Sequence, residues 1–228
     1  MRKLFIMLLF FACLSYSHQP RIVFGTGVTG IINPEVSQAF YGELNGSPAF
    51  FEIRSDKPFE LYVGILIPAL EGESKDKSVN VTMEGKQIIF LDATNSNWSY
   101  FYEEFGGDGY YSGPDSRMNV SAGTFRIEVF SPTNKGKYSF VVGEKEEFPI
   151  GESINALILL PTLKSWFFNK SPLEAFISLV YIFTLGPVIL VAGFIAAFAY
   201  WFFKSRKKKQ NGRATSSNTP RKKNFIFI

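Results

Sequence analysis

Along residues 38–142 apolar and polar positions alternate in short runs that break at Gly, Pro, Asn and Asp, which predicts strands rather than helices. Phe59, Leu61, Val63 and Ile65 alternate with Glu60, Tyr62 and Gly64, and Phe125, Ile127 and Val129 alternate with Arg126 and Glu128. Strands are expected at 38–44, 50–54, 59–67, 79–83, 87–91, 124–130 and 137–142. The runs at 45–48, 55–58, 84–86 and 134–136 carry turn chemistry between them. Seven or eight strands in about 120 residues predict two sheets packed face to face. The expected fold is an all-β sandwich, jelly-roll-like, over 33–148. The segment 18–32 reads as an N-terminal leader, and 71–77 and 95–114 read as loops.

Two stretches follow another pattern. Arg2 and Lys3 precede an apolar run from Leu4 to Leu14, and Ser15 and Ser17 stand before His18, so 1–17 reads as a signal peptide cut ahead of His18. Cys13, preceded by Ala12, offers a lipidated N-terminus as the rival. From Ala175 to Phe203 no residue is charged, and an apolar run of that length predicts one transmembrane α-helix over 175–203. Gly186-Pro187 near its middle predicts a kink. Tyr200, Trp201 and Trp166 fit interfacial anchoring. Between sandwich and span, 149–174 is a membrane-proximal segment. Its apolar residues read equally as a short helix at the outer membrane face or as a stalk packed under the sandwich.

Charge orients the chain. Thirteen of the 24 basic residues and all 20 acidic ones lie between His18 and Glu174, whereas the tail 204–228 holds nine basic residues and no acid. The pI near 9 therefore averages two oppositely charged parts. Lys204, Arg206, Lys207, Lys208 and Lys209 follow the span directly and are expected on the cytoplasmic side against anionic lipid. The expected topology is single-pass type I, with the N-terminal domain extracytoplasmic. Membrane lipid is an expected partner and nucleic acid is not.

Composition removes several chemistries. The chain has one His and one Cys, both near the N-terminus, so a Ser-His-Asp triad, a Cys-His dyad, a His or Cys zinc site and a disulfide framework are not expected. Gly25, Gly27 and Gly30 match a G-x-G-x-x-G string but open no βαβ unit. Ligand-capable chemistry concentrates in 95–114. There Trp98, Tyr100, Tyr102, Tyr110 and Tyr111 offer rings on which the CH faces of sugars stack, although such rings also fill sandwich cores. Glu103, Glu104 and Asp108 among Gly106, Gly107 and Gly109 supply hard oxygen ligands for calcium, without an EF-hand spacing. No other cofactor is expected. Five Asn-x-Ser/Thr triplets stand at Asn45, Asn80, Asn97, Asn119 and Asn169. Pro48 and Pro172 disfavour the first and last, leaving Asn80, Asn97 and Asn119 as glycosylation candidates.

Ala122-Gly123-Thr124-Phe125 followed by Gly136-Lys137-Tyr138-Ser139-Phe140-Val141-Val142 resembles the last strands of bacterial pre-peptidase C-terminal-type β-sandwich domains. The likeness is in wording at 122–143 and in architecture over 35–143. It implies an accessory module that binds surfaces, glycans or protein partners and does not catalyse. The expectation is a non-enzymatic, membrane-anchored binding or accessory module. The alternatives are a structural subunit assembled through its span, where Gly186, Ala192, Gly193, Ala196 and Ala197 permit close helix approach, and a carboxylate-based hydrolase, for which no acid pair is visible.

Overall fold

The computed structural model describes residues 18–147 and 149–216. Residues 1–17, read above as a signal peptide, and the tail end at 225–228 lie outside the described residues. The chain divides after Phe183 into two compact units.

The first unit is a two-sheet sandwich. Its strands are β1 (Gln19–Ile22), β2 (Val28–Ile31), β3 (Gln38–Asn45), β4 (Ala49–Ser55), β5 (Phe59–Pro68), β6 (Ser78–Met83), β7 (Lys86–Leu91), β8 (Ser99–Glu103), β9 (Asp108–Val120), β10 (Gly123–Phe130) and β11 (Lys135–Val142). One sheet runs β1-β3-β11-β5-β9-β8 and the other β2-β4-β10-β6-β7. The alternation read from the sequence fixes which face is buried: Leu61, Val63, Phe125, Ile127 and Val129 all point into one core. Aromatic pairs join the sheets, Phe51 on β4 to Phe140 on β11 at 4.9 Å and Phe59 on β5 to Phe125 on β10 at 5.5 Å between centroids. Truncating a fully buried ring such as Phe125 is worth about 3–5 kcal/mol.

Two sequence expectations are corrected. The segment 18–32 is no leader, because β1 pairs in parallel with β3 and β2 in parallel with β4. These are edge strands of four residues each, with burial that does not alternate along β1, so neither carries a strong alternation. The stretch 95–114 is no loop either: β8 and the start of β9 form an antiparallel hairpin. Its period-2 signal is broken by glycines and by Pro114, which sits in a bulge where the β5–β9 register shifts between Gly64 and Leu66. A bulge is where a strand tolerates the missing N–H of proline.

Beyond the sandwich, α1 (Ile150–Thr162) runs into a π turn (Leu163–Phe167) and a 3-10 helix (Pro172–Ile177). Pro161 inside α1 cannot donate to the Leu157 carbonyl, and the wider turn follows it directly. This segment packs on the sheet containing β3 and β9. Phe167 meets Tyr41 at 5.0 Å and Phe168 meets Tyr110 at 5.3 Å. Arg21 on β1 grips both carboxylate oxygens of Glu152 on α1, at 2.7 and 2.9 Å. Of the two sequence readings, packing on the sandwich holds for the inner side of α1. Ser171 and Glu174 form a capping box with Pro172 at the first helical position, as Ser-Pro-Leu-Glu foretells.

The last helix, α2, spans Leu179–Ser216. Its first turn belongs to the sandwich unit. Ala175 and Ser178, counted in the apolar run, are buried in that unit instead, so the long helix starts later than the run. Within α2, Leu179–Lys204 is 26 residues long and apolar enough to cross a membrane. At about 1.5 Å per residue it extends roughly 39 Å, beyond a hydrocarbon core of about 30 Å. In the second unit, Tyr200 and Trp201 are exposed and the Lys204 ammonium lies 5.7 Å from the Tyr200 ring. The backbone stays helical through Arg206, Lys207, Lys208 and Lys209.

Candidate functional site

The β8–β9 hairpin has two differently used faces. Its register pairs Tyr100 with Tyr111, Phe101 with Tyr110, Tyr102 with Gly109 and Glu103 with Asp108. The turn is held by the Glu103 carboxylate, which accepts from the backbone N–H groups of Phe105 at 2.8 Å and Gly106 at 2.7 Å. Burial pushes the Glu103 carboxyl upward, and these two donors partly oppose it.

On the face toward α1 and the turns that follow it, Phe101 stacks on Tyr110 at 5.4 Å. The Tyr110 and Tyr41 hydroxyls are 3.2 Å apart, and burial drives the Tyr110 phenol well above its ordinary range. Asp108 is the hub. Its Oδ2 accepts from Lys164 at 2.7 Å and its Oδ1 from Lys170 at 2.8 Å. The Lys164 and Asp108 side chains are each 2% exposed, and Lys164 also donates to the Gly106 carbonyl at 2.6 Å. A buried ion pair of this kind needs such extra hydrogen bonds to offset desolvation. Burial is the largest single influence and works against the Lys170 charge, but the hydrogen bond to Asp108 and the attraction of Asp108 and Glu174 together outweigh it and raise the pKa.

The opposite face is open. Tyr100 is 60% and Tyr102 55% exposed. Tyr111 lies beside Tyr100 at 5.9 Å in an edge contact, and the Lys75 ammonium sits 3.4 Å from the Tyr111 ring centroid. Trp98 donates its indole N–H to the Ala93 carbonyl at 3.1 Å, which fixes the ring over Gly113. A Cβ at Gly113 would lie 2.5 Å from that indole, and one at Gly109 2.8 Å from the Tyr100 hydroxyl. Those two positions hold glycine because aromatic rings lie directly on the backbone there.

The register therefore places Tyr100, Tyr102 and Tyr111 on one face, leaves Trp98 packed against the sandwich core and removes Tyr110, which is buried on the other side. The three acids do not assemble as a calcium cage. Both Asp108 oxygens are taken by ammonium groups, Glu103 is spent on the turn backbone and Glu104 is exposed. Among the described residues no group of three or more His, Cys, Asp or Glu is placed to hold a metal. Asn97 and Asn119 are exposed, while Asn80 lies in β6 between β10 and β7 with its Oδ1 buried. Sequence reasoning missed Lys75, Lys164 and Lys170. A lone lysine in an otherwise apolar run was the signal for Lys164, since such a charge is buried only with a partner.

No protein-family model matches the sequence, and no curated protein matches it. Among solved structures, the pre-peptidase C-terminal domain of a Bacillus anthracis collagenase is 10% identical, covering 53% of this chain and 97% of that one at a TM-score of 0.33. A family 35 carbohydrate-binding module from an environmental isolate is 21% identical, over 43% of this chain and 66% of that one, at 0.27. The CBM35 from Cellvibrio japonicus Abf62 is 10% identical, over 44% and 68%, at 0.26. The first bears the family name that 122–143 suggested, but a score of 0.33 does not establish membership, and none of the three decides what this chain binds.

Proposed function

We propose that this protein is a non-enzymatic, membrane-anchored binding module, with its sandwich on the extracytoplasmic side, α2 as a single span and the basic tail in the cytoplasm. The proposed ligand surface is the open face of the β8–β9 hairpin, and the proposed ligand class is a surface glycan. One observation carries the reading: Tyr100 and Tyr102, largely exposed, stand beside Tyr111 under Lys75 on a hairpin whose other face is locked by a buried ion pair. Exposed rings on a rigid strand lose little conformational freedom on binding, and their faces suit sugar CH groups. Glu103 and Asp108 at the end of the hairpin are committed to the turn and to the lysines.

The test is binding of the purified full chain, in nanodiscs, to a panel of immobilised glycans. The expected result is retention on a subset of glycans, lost at least several-fold in Tyr100→Ala and Tyr102→Ala and kept in Phe90→Ala on β7. Equal retention by all three variants, or no retention of the parent chain on any glycan, overturns the ligand class.

A further inference from the structure

Among the described residues of the first unit, α1 and the 3-10 helix carry a set of large apolar side chains that stay exposed. Ile150, Ile154 and Ile158 on α1 are 81%, 52% and 68% exposed, and Leu173, Phe176 and Ile177 on the 3-10 helix are 70%, 56% and 75% exposed. On α1 the side chains of Ile150, Ile154, Leu157, Ile158 and Pro161 fall in one sector about 100° wide. That sector holds no charged residue. Glu152 points the other way to Arg21, and Ala156 and Leu160 face the sandwich. So many large exposed apolar side chains on one short segment mark an interaction surface rather than ordinary solvent-facing side chains.

The chain itself indicates the occupant. Ile177 stands two residues before α2, and the first turn of α2 is tied into the same unit at two points. The Val180 N–H donates to the Phe105 carbonyl at 3.2 Å, and the Tyr181 hydroxyl donates to the Leu157 carbonyl at 2.6 Å. Leu157 lies on the uncovered sector, between Ile154 and Ile158. The start of the apolar helix is therefore one tyrosine side chain away from the stripe on α1. The isoleucines on either side of Leu157 in sequence thus belong to the same packed unit as the first turn of the apolar helix.

We infer that the outward sector of α1 and the apolar side chains of the 3-10 helix are seated in the outer-leaflet interface. The sandwich then rests on the membrane instead of hanging from a tether. An amphipathic segment lying in the interface plane is stabilised by the apolar area it buries there. The seat rests on the reading of α2 as a span. It also sets the height of the aromatic face: β8 leads into the turn that bonds Val180, and at about 3.3 Å per residue Tyr100 is no more than roughly 16 Å from Phe105. A ligand on that face is close to the lipid surface.

The test uses the full chain with Cys13→Ser, reconstituted in phosphatidylcholine vesicles. Single environment-sensitive fluorophores are placed through Ile150→Cys, Ile154→Cys, Ile158→Cys, Phe90→Cys and, within the span, Val191→Cys. The expected result is that the three α1 probes are quenched several-fold more by lipids with a nitroxide near the headgroup than is the Phe90 probe, and that iodide in the water does the reverse. The Val191 probe is quenched by a nitroxide at the acyl chain end. If Val191 responds this way while the α1 probes follow Phe90, the span reading stands and the seat is overturned. Shielding of the α1 probes from iodide without nitroxide quenching also overturns it, since a protein then covers the face. If Val191 itself stays aqueous, the span reading falls and the seat with it.

Discussion

The Tyr181 hydroxyl donates to the Leu157 carbonyl, the one carbonyl of α1 that Pro161 leaves without its intrahelical donor. The helix defect and the first turn of α2 are thus parts of one joint, which closes a loop between residues 24 positions apart. Replacing Tyr181 by Phe leaves Leu157 without that donor. A typical hydrogen bond contributes about 0.5–1.5 kcal/mol net, and this one is partly buried, so Tyr181→Phe is expected to destabilise the first unit by that order and to speed amide exchange in α1. Pro161→Ala restores an N–H at the right spacing. In the Pro161→Ala background the cost of Tyr181→Phe should shrink, and a double-mutant cycle on denaturation midpoints measures the coupling.

Asp108 holds two lysines of unequal exposure. Lys164 is 2% exposed and Lys170 34%, so loss of the carboxylate strands one charge inside the protein and the other close to water. Asp108→Asn is expected to cost about 3–5 kcal/mol, the penalty of an uncompensated buried ion. Lys170→Met should cost within about 1 kcal/mol, as for half-exposed pairs. Pairing Asp108→Leu with Lys164→Met removes both charges and should recover part of the loss. Denaturant unfolding of the full chain in detergent, followed by tryptophan fluorescence, reports all three.

Alkaline conditions should loosen the contact around Asp108 and Tyr110. Burial raises the phenol pKa of Tyr41 and Tyr110 in the folded unit, and the Asp108 contact raises that of Lys170. In each case the folded state binds more protons than the unfolded state once the unfolded groups begin to titrate. Stability then falls with rising pH. The contribution is fully present below about pH 10, where unfolded tyrosines stay neutral, and is lost as pH climbs through the folded values. The expected observation is a falling denaturation midpoint above that pH, with a shallower slope in Tyr110→Phe.

Most of the sandwich was legible because burial of one strand face imposes period 2. Phe125, Ile127 and Val129 announced β10, and Phe59, Leu61, Val63 and Ile65 announced β5. What escaped was specified by distant partners instead. β1 and β2 are strands because β3 and β4 offer free parallel edges, information that Gln19–Ile22 and Val28–Ile31 do not contain. The hairpin of β8 and β9 was hidden by glycines whose purpose is to receive Trp98 and Tyr100. The aromatic site was visible as a concentration of rings. Its division into an open face and a buried one was not, since that depends on Lys164 and Phe168 arriving from more than fifty residues away.

The charge difference across α2 gives the orientation a direct test. Anchored as proposed, the acidic sandwich is exported and the basic tail retained, because juxtamembrane lysines and arginines resist translocation. Asn97, ahead of β8, and Asn119, on β9, are exposed. Expressed in a eukaryotic secretory pathway, the full chain should gain glycan that an endoglycosidase removes, and Asn97→Gln and Asn119→Gln should each shorten the shift. Changing Arg206, Lys207, Lys208 and Lys209 together to Gln strips the charge nearest the span, and a glycan-free, membrane-integrated population should then emerge. A parent chain that integrates without any glycan while a sequon placed in its tail is modified would reverse the orientation.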